Sequence, residues 1–296
     1  MILNPLMVYV LGIASALFYG LAAVMQHRVA ASAPKSASLH LGLLAHLIRR
    51  PMWSAAIGAD VIAFVLHALA LGRGPLTLVE PLLTTGLLAA LALSALWERH
   101  ALSRREWMGA IALTVGLAVL LAAGSPAEGR LTVPFHRWFI GGGCAGGAVV
   151  LLVAWARRSR PQLKPVSLGL AAAITFAATD SLLKINIDVL QSDGLREVAT
   201  SWYAYVLVAS AVVGEVLVQS AFQAGPLSRS LPVLTTVEPI ASSALGVILF
   251  AERLRTAPTD LGLELAAGVL LVFGIWVLAT SPTVTGGRTD KSAVQP

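Results

Sequence analysis

Apolar residues run along this chain in blocks of about twenty, parted by short polar or basic interruptions. The blocks predict nine membrane-crossing helices, at roughly 6–27, 52–72, 76–97, 104–124, 135–156, 166–187, 202–224, 228–250 and 259–280. Twenty apolar residues in a helix are enough to cross a hydrocarbon core of ~30 Å. The stretch 39–48 (LHLGLLAHLI) is equally apolar but too short to cross. It reads as a short, tilted or re-entrant tenth helix, or as an interfacial one. Ten-residue segments of alternating polarity, the mark of a membrane β-barrel, are absent. The expected fold class is an all-α polytopic membrane protein with nine or ten transmembrane helices.

Composition excludes the ordinary soluble alternatives. The 296 residues are 57% hydrophobic and 12% charged, with a mean hydropathy of +0.79. A net charge of +6 and a pI near 10.0 would suggest nucleic acid in a soluble chain. Here the basic residues fall in short loops, where they set topology instead. The expected partners are therefore the lipid bilayer of the cell membrane and a small-molecule or cation substrate, with no nucleic acid. A homodimer is compatible with the pattern. The single cysteine, Cys144, permits no intramolecular disulfide, and its surroundings from Gly141 to Gly147 read as a helix-packing face. Ala31-Ser32-Ala33 has the look of a signal-peptidase site. The preceding apolar run is too long, lacks a basic start and is interrupted by His27-Arg28, so a retained first helix is expected.

The basic residues alternate between dense and sparse loops. Arg28, Lys35, Arg49 and Arg50 fill the first connection, Arg73 alone marks the second, and Arg99, Arg104 and Arg105 mark the third. Arg130 and Arg137 follow, then the dense Arg157, Arg158, Arg160 and Lys164. This places 28–50, 98–105 and 157–165 in the cytoplasm. Arg253 and Arg255 would then lie outside, while the polar, disordered tail 282–296 is cytoplasmic.

One segment occurs twice. Residues 74–85 (GPLTLVEPLLTT) and 225–236 (GPLSRSLPVLTT) agree at seven of twelve positions, and Val79-Glu80-Pro81 returns as Val237-Glu238-Pro239 in a shifted register. The loop after the first copy counts as cytoplasmic and the loop after the second as external. Copies of opposite orientation form an inverted repeat, the architecture that gives alternating access about a midplane site. The expected divisions are a first repeat at 1–126, a second at 127–281 and the tail at 282–296.

These segments resemble the drug/metabolite transporter superfamily. The first has a helix, a proline-bearing helix, an acidic loop residue (Glu98) and a helix with spaced glycines (Gly109, Gly116). The second, from Gln223 through Val237-Glu238-Pro239 and Glu252 to Gly268 and Gly274, is similar to the EamA-type pattern. The nine-span layout also resembles the NIPA-like branch, whose eukaryotic members are described as magnesium transporters. The resemblance implies a transporter without implying its cargo.

Ionisable residues inside a span are costly, so each is a candidate for function. Asp60 and His67 stand two turns apart, either as a proton relay or as an acid beside a packing histidine. Asp180 and Lys184 stand one turn apart. They form either an intrahelical ion pair or a cavity site for an anionic group, and Lys184 can also snorkel toward Asn186 and Asp188. Glu80 and Glu238 each precede a proline (Pro81, Pro239), and Pro232 adds a third expected helix break. The freed carbonyls, the carboxylates and the nearby hydroxyls of Thr84, Thr85, Thr235 and Thr236 suit protons or polar cargo; the rival reading is that the acids only cap helix ends. Glu215, Gln219 and Gln223 recur at four-residue spacing as a polar stripe. Tyr19, Trp202, Tyr203 and Tyr205 read first as interfacial anchors and second as cavity lining.

With Asp180 set against Lys184, the interior keeps Asp60, Glu80, Glu215 and Glu238 against His67. That acid surplus favours protons, metal cations or amine-bearing cargo over phosphate-rich substrates. No catalytic, nucleotide-binding or CxxC motif is present, so no enzyme activity and no cofactor are expected. The expected function is secondary transport of a small metabolite or drug-like molecule, with proton-coupled efflux favoured. The alternatives are a divalent-cation (Mg²⁺) permease, with Glu80, Glu238 and Asp60 as its oxygen ligands, and a non-transporting or lipid-linked-sugar-handling membrane partner.

Overall fold

A computed structural model describes residues 5–34, 38–71, 82–83, 85–97, 102–123, 133–251 and 258–279. The helices are α1 (Pro5–Ser32), α2 (Leu41–Ile48), α3 (Pro51–Leu71), α4 (Thr85–Trp97), α5 (Arg104–Ala123), α6 (Phe135–Arg158), α7 (Lys164–Ser192), α8 (Leu195–Thr200), α9 (Trp202–Ala224), α10 (Leu227–Phe250) and α11 (Pro258–Ala279). No strand occurs among the described residues. Five helices (α1, α6, α7, α9 and α10) are long and apolar enough to cross a membrane, and α3, α4 and α11 are shorter apolar helices. The chain is an all-α membrane protein.

Each predicted span coincides with a helix over its described residues, the span 76–97 only from Thr85 to Trp97, and the expected short helix is α2. It is not a crossing: Leu43 and Leu47 are buried against Val29 and Ala33 at the end of α1. Glu80, Pro81, Thr84, Glu98, Arg253, Arg255 and the tail 282–296 lie outside the described residues.

The start of α5 shows how local sequence sets an end. Glu106 accepts hydrogen bonds from the Ser103 amide (2.8 Å) and hydroxyl (2.9 Å), while the Glu106 amide donates back to Ser103 Oγ (3.2 Å). This is a capping box closing the orphan amides of a first turn.

Packing follows a repeated scheme. α1 lies against α3 and α4, and α7 lies against α9 and α10, while α5 pairs with α11. Small polar groups cross-link the equivalent pairs. Ser15 Oγ donates to Ala63 O (2.7 Å) between α1 and α3, and Thr179 Oγ1 donates to Ser210 Oγ (3.0 Å) between α7 and α9. Helix α7 is central, with Ala171, Ala172, Ala173 and Ala177 fully buried, and the main core joins Val24, Leu87, Leu113, Leu168, Leu217, Phe222 and Leu271. Large apolar side chains such as Phe64, Phe139, Leu151, Val208, Val269 and Val272 face outward, as a lipid-exposed surface requires.

Contacts at the helix ends fix relative direction. Arg28 stands 4.8 Å from the Trp97 ring and Arg105 stands 5.4 Å from the Trp276 ring. Gln223 Nε2 donates to Pro34 O (2.8 Å) and His27 Nε2 meets Gly225 O at 3.0 Å. One end of the bundle therefore gathers the C-termini of α1, α4, α9 and α11 with the N-termini of α5 and α10. At the opposite end, Trp138 of α6 packs on Trp202 and Tyr203 of α9, and Arg137 Nη1 reaches Leu249 O (3.5 Å) near the end of α10.

Helix α10 corrects one expectation. It runs unbroken from Leu227 to Phe250 through Pro232 and Pro239. The prolines still remove amide donors, so the carbonyls of Ser228 and Thr235 lack their usual partner four residues on. Thr235 Oγ1 reinforces the same turn by donating to Leu231 O (3.0 Å). The glycine-rich stretch of α6 is used only in part. A Cβ on Gly141 would meet Leu249, whereas Gly142, Gly143, Gly146 and Gly147 have open space beside them and Cys144 is exposed.

Glycines do set the α5–α11 contact. A Cβ on Gly274 would lie 2.5 Å from Leu113 Cγ and 2.8 Å from Gly109 O, so the two backbones touch there. Gly274→Ala is expected to force the helices apart at a cost of about 1–3 kcal/mol. A lower melting midpoint of the detergent-solubilised variant tests this; an unchanged midpoint contradicts the close approach.

Candidate functional site

A cavity of about 640 Å³ lies inside the bundle, walled by α1, α3, α4, α5, α7, α9 and α10. Among the described residues, four carboxylates line it (Asp60, Asp180, Glu215 and Glu238) and no Lys or Arg does. The rest is largely apolar, with Leu87, Leu113, Phe176 and Phe222 prominent. Counting from the helix ends at the Arg28 side, Asp60 and Glu215 lie roughly 13 Å deep, Glu238 roughly 16 Å and Asp180 roughly 24 Å, at 1.5 Å per residue. These depths straddle the middle of a ~30 Å hydrocarbon layer.

The acids form two groups. In the first, α1, α3 and α9 are joined through two buried amides. Gln26 Nε2 donates to Asp60 Oδ2, and Gln219 Nε2 donates to Gln26 Oε1 (2.7 Å) and to Glu215 Oε1 (2.8 Å). Gln219 is fully buried, and its own Oε1 has no partner among the described residues.

In the second group, α7 and α10 meet. Ser242 Oγ donates to Asp180 Oδ2 (3.3 Å). Glu238 and Ser242 are one turn apart, so both face the same way. Thr236 also lines the cavity, and its hydroxyl, in a side chain 1% exposed, has no partner among the described residues.

Of the residues proposed from sequence, the cavity thus brings together Asp60, Asp180, Glu215, Glu238, Thr235 and Thr236, with Gln219 bonded just behind and Pro239 in the wall. His67 is not among the lining residues, so Asp60 faces the cavity without it. Lys184, one turn beyond Asp180, holds its ammonium 4.4 Å from the Phe250 ring. Gln223 leaves the stripe's cavity side and clamps the end of α1 by donating to Ala33 O (3.1 Å) and Pro34 O (2.8 Å). Thr85 Oγ1 donates to Leu82 O (2.6 Å) at the start of α4.

The aromatic candidates divide. Tyr19 lines the cavity, Trp202 and Tyr203 stack with Trp138, and the exposed Tyr205 donates its hydroxyl to Ala199 O (2.9 Å). Sequence reading missed Gln26 and Ser242. Gln26 was legible as a polar residue closing the first apolar run, but only its partners on α3 and α9 give it a role.

Among the described residues, no group of three or more His, Cys, Asp or Glu side chains converges as a metal site requires. The cavity's chemistry is that of carboxylates set among apolar walls, suited to protons and to ammonium groups carried on an organic frame.

A protein of Corynebacterium glutamicum described as uncharacterized, Cgl0250/cg0304, is 30% identical over 289 residues, which is 96% of this chain and 99% of that protein. No family model matches the chain, and no solved structure matches it.

Proposed function

The chain belongs to the same family as the uncharacterized Corynebacterium glutamicum protein, and from that premise we propose that it is a secondary transporter of the cell membrane, carrying a small amine-bearing molecule in exchange for protons. The observation that carries this reading is the mid-depth cavity lined, among the described residues, by four carboxylates and no Lys or Arg. A buried carboxylate can hold either a proton or an ammonium group, so arrival of one releases the other. That competition is what couples the two fluxes.

The repeated packing supports alternating access. α1, α3, α4 and α5 correspond to α7, α9, α10 and α11, with α6 between the two sets. If all nine predicted spans cross, five crossings separate α1 from α7. An odd number turns the second set over, which is an inverted repeat of the drug/metabolite transporter kind. The two sets can then exchange roles as inner and outer gate. The basic end of the bundle, with Arg28 and Arg105, is the cytoplasmic end on this reading.

Two experiments test it. In proteoliposomes with an imposed pH gradient, small amines are expected to accumulate against their own gradient and to dissipate the proton gradient as they do. Mg²⁺ flux in the same vesicles, with no amine flux, would replace the reading by a cation permease. Absence of any flux in folded protein would remove transport altogether. For topology, single cysteines introduced by Ser103→Cys and Thr256→Cys in a Cys144→Ser background are expected to label from opposite sides. Labelling from the same side overturns the inverted repeat.

A further inference from the structure

Helix α9 is enclosed at one end only. Every residue from Val216 to Phe222 is buried, whereas none from Trp202 to Val213 is. Nearly two turns of helix are therefore covered on all faces toward the Arg28 end of the bundle. The cavity shares this asymmetry. Toward the Arg28 end, Gln219 is bonded to the lining residues Gln26 and Glu215 and is fully buried. Toward the other end, Asp180 lines the cavity and is itself exposed.

What covers α9 there is the end of α1 and the link that follows it. Gln219 Nε2 donates to Gln26 Oε1 (2.7 Å), and His27 meets Gly225 O (3.0 Å) and packs edge-on against Phe222. The Leu39 amide donates to Ser220 Oγ (2.9 Å), and Gln223 Nε2 donates to Ala33 O (3.1 Å) and Pro34 O (2.8 Å). Gln219, Phe222 and Gln223 stand three and four residues apart, so these contacts form one seam running to the end of α9. The bonds join neutral groups rather than ions, so the seam can part at modest cost.

The seam has no counterpart. In the correspondence of the two helix sets, α1 on α9 is matched by α7 on α3. Among the described residues, α7 and α3 form no extended contact. A fold of two like halves can make either contact, and here it makes one of them.

We propose that the α1–α9 seam is the inner gate of the cavity, shut in this structure while the cavity opens toward the Asp180 end. Opening inward parts α1 from α9 and brings α7 onto α3, so the two contacts alternate and the cavity is never open at both ends. The inference rests on the transporter reading, and it adds the elements that regulate access to its site.

The test locks the seam in the full chain, reconstituted in a Cys144→Ser background. Leu39 N lies 2.9 Å from Ser220 Oγ, close enough for Leu39→Cys with Ser220→Cys to form a disulfide on oxidation. The control pair, Thr179→Cys with Ser210→Cys, lies inside one helix set, where the two hydroxyls are 3.0 Å apart. Ethanolamine uptake is measured with each pair reduced and oxidised, the disulfides being confirmed by mass spectrometry. Oxidising the seam pair is expected to lower uptake to the level of protein-free vesicles, reversibly, while the control disulfide leaves it unchanged. A seam pair that does not cross-link, uptake that survives its disulfide, or equal loss with the control each overturns the gate. Ser242→Cys, in the cavity wall, reads access without any flux. With the seam oxidised, a membrane-impermeant maleimide is expected to reach it from the Asp180 side only; with the seam reduced, from both sides. Labelling from the Arg28 side through an oxidised seam also overturns the gate. Labelling as expected in a protein that moves no ethanolamine leaves the gate standing and defeats the amine reading, which is a different outcome.

Discussion

On the transporter reading, Glu238→Gln is expected to lower amine flux by roughly 100-fold while the protein remains folded. Glu238 lines the mid-depth cavity on α10 beside Asp180, in a wall where the nearby side chains are largely apolar. An ammonium seated there loses its water and is repaid by charge-assisted hydrogen bonds to the two carboxylates. Removing one partner of such a desolvated pair costs about 3 kcal/mol, which is roughly 100-fold in affinity. Glutamine keeps the shape and one acceptor, so packing of the continuous α10 helix is retained. The glutamine also cannot take up a proton. Proton efflux evoked by adding amine is therefore expected to fall in parallel with amine flux. Flux unchanged within a factor of two would show that the cavity carboxylates do not bind cargo.

Gln219→Leu is the second large effect, and it reads out the network rather than the charge. The Gln219 amide is fully buried and donates to both Gln26 Oε1 and Glu215 Oε1. Leucine fits the space but leaves both acceptors without that donor. Unsatisfied buried groups cost about 1–3 kcal/mol each. A fall in the melting midpoint of about 5 °C is expected, as about 2 kcal/mol produces in a chain of this size. A structural loss alone would lower proton-driven uptake and passive exchange of labelled amine equally. The link from Glu215 through Gln26 to Asp60 predicts more, namely that proton-driven uptake falls at least about tenfold further than exchange. Equal losses in the two assays would reduce Gln219 to a packing role.

Much of the fold was legible because a bilayer imposes a simple rule: a crossing segment must satisfy its own backbone and hide no charge without cause. Eight of the nine apolar blocks became helices at nearly their expected bounds, the block 76–97 is described as a helix over Thr85–Trp97, and the short block at 39–48 became the eight-residue α2. Of the spaced glycines that carried the family resemblance, Gly109, Gly116 and Gly274 pack α5 against α11, while a Cβ on Gly268 would meet nothing. Periodicity cannot tell which side of an all-apolar helix faces lipid and which faces protein.

The site was legible in its members but not in its grouping. Each acid in a span stood out because it is expensive there. Asp60 was paired with His67 on the spacing of two turns, yet its hydrogen-bond donor is Gln26, from another helix. Asp180 was set against Lys184 on the spacing of one turn, yet it accepts from Ser242 of α10 and faces the cavity, while Lys184 reaches the Phe250 ring. Local spacing finds neighbours on one helix, and these partners come from others. The prolines were read as breaks, but α10 stays helical through both, so what they free is the carbonyl four residues before each.

The sequence by itself determined that the chain is helical and lives in a membrane, and which few ionisable groups need a reason to be there. Those follow from hydropathy and from the cost of burying charge, which are properties of segments taken one at a time. Only the tertiary structure decided that Asp60, Asp180, Glu215 and Glu238 line one cavity, that two buried glutamine amides tie Asp60 to Glu215, and that among the described residues no Lys or Arg lines the space. The reason is that side chains 34 and 193 residues apart in the chain become hydrogen-bonded neighbours when the helices pack. No pattern read along a single helix contains that meeting.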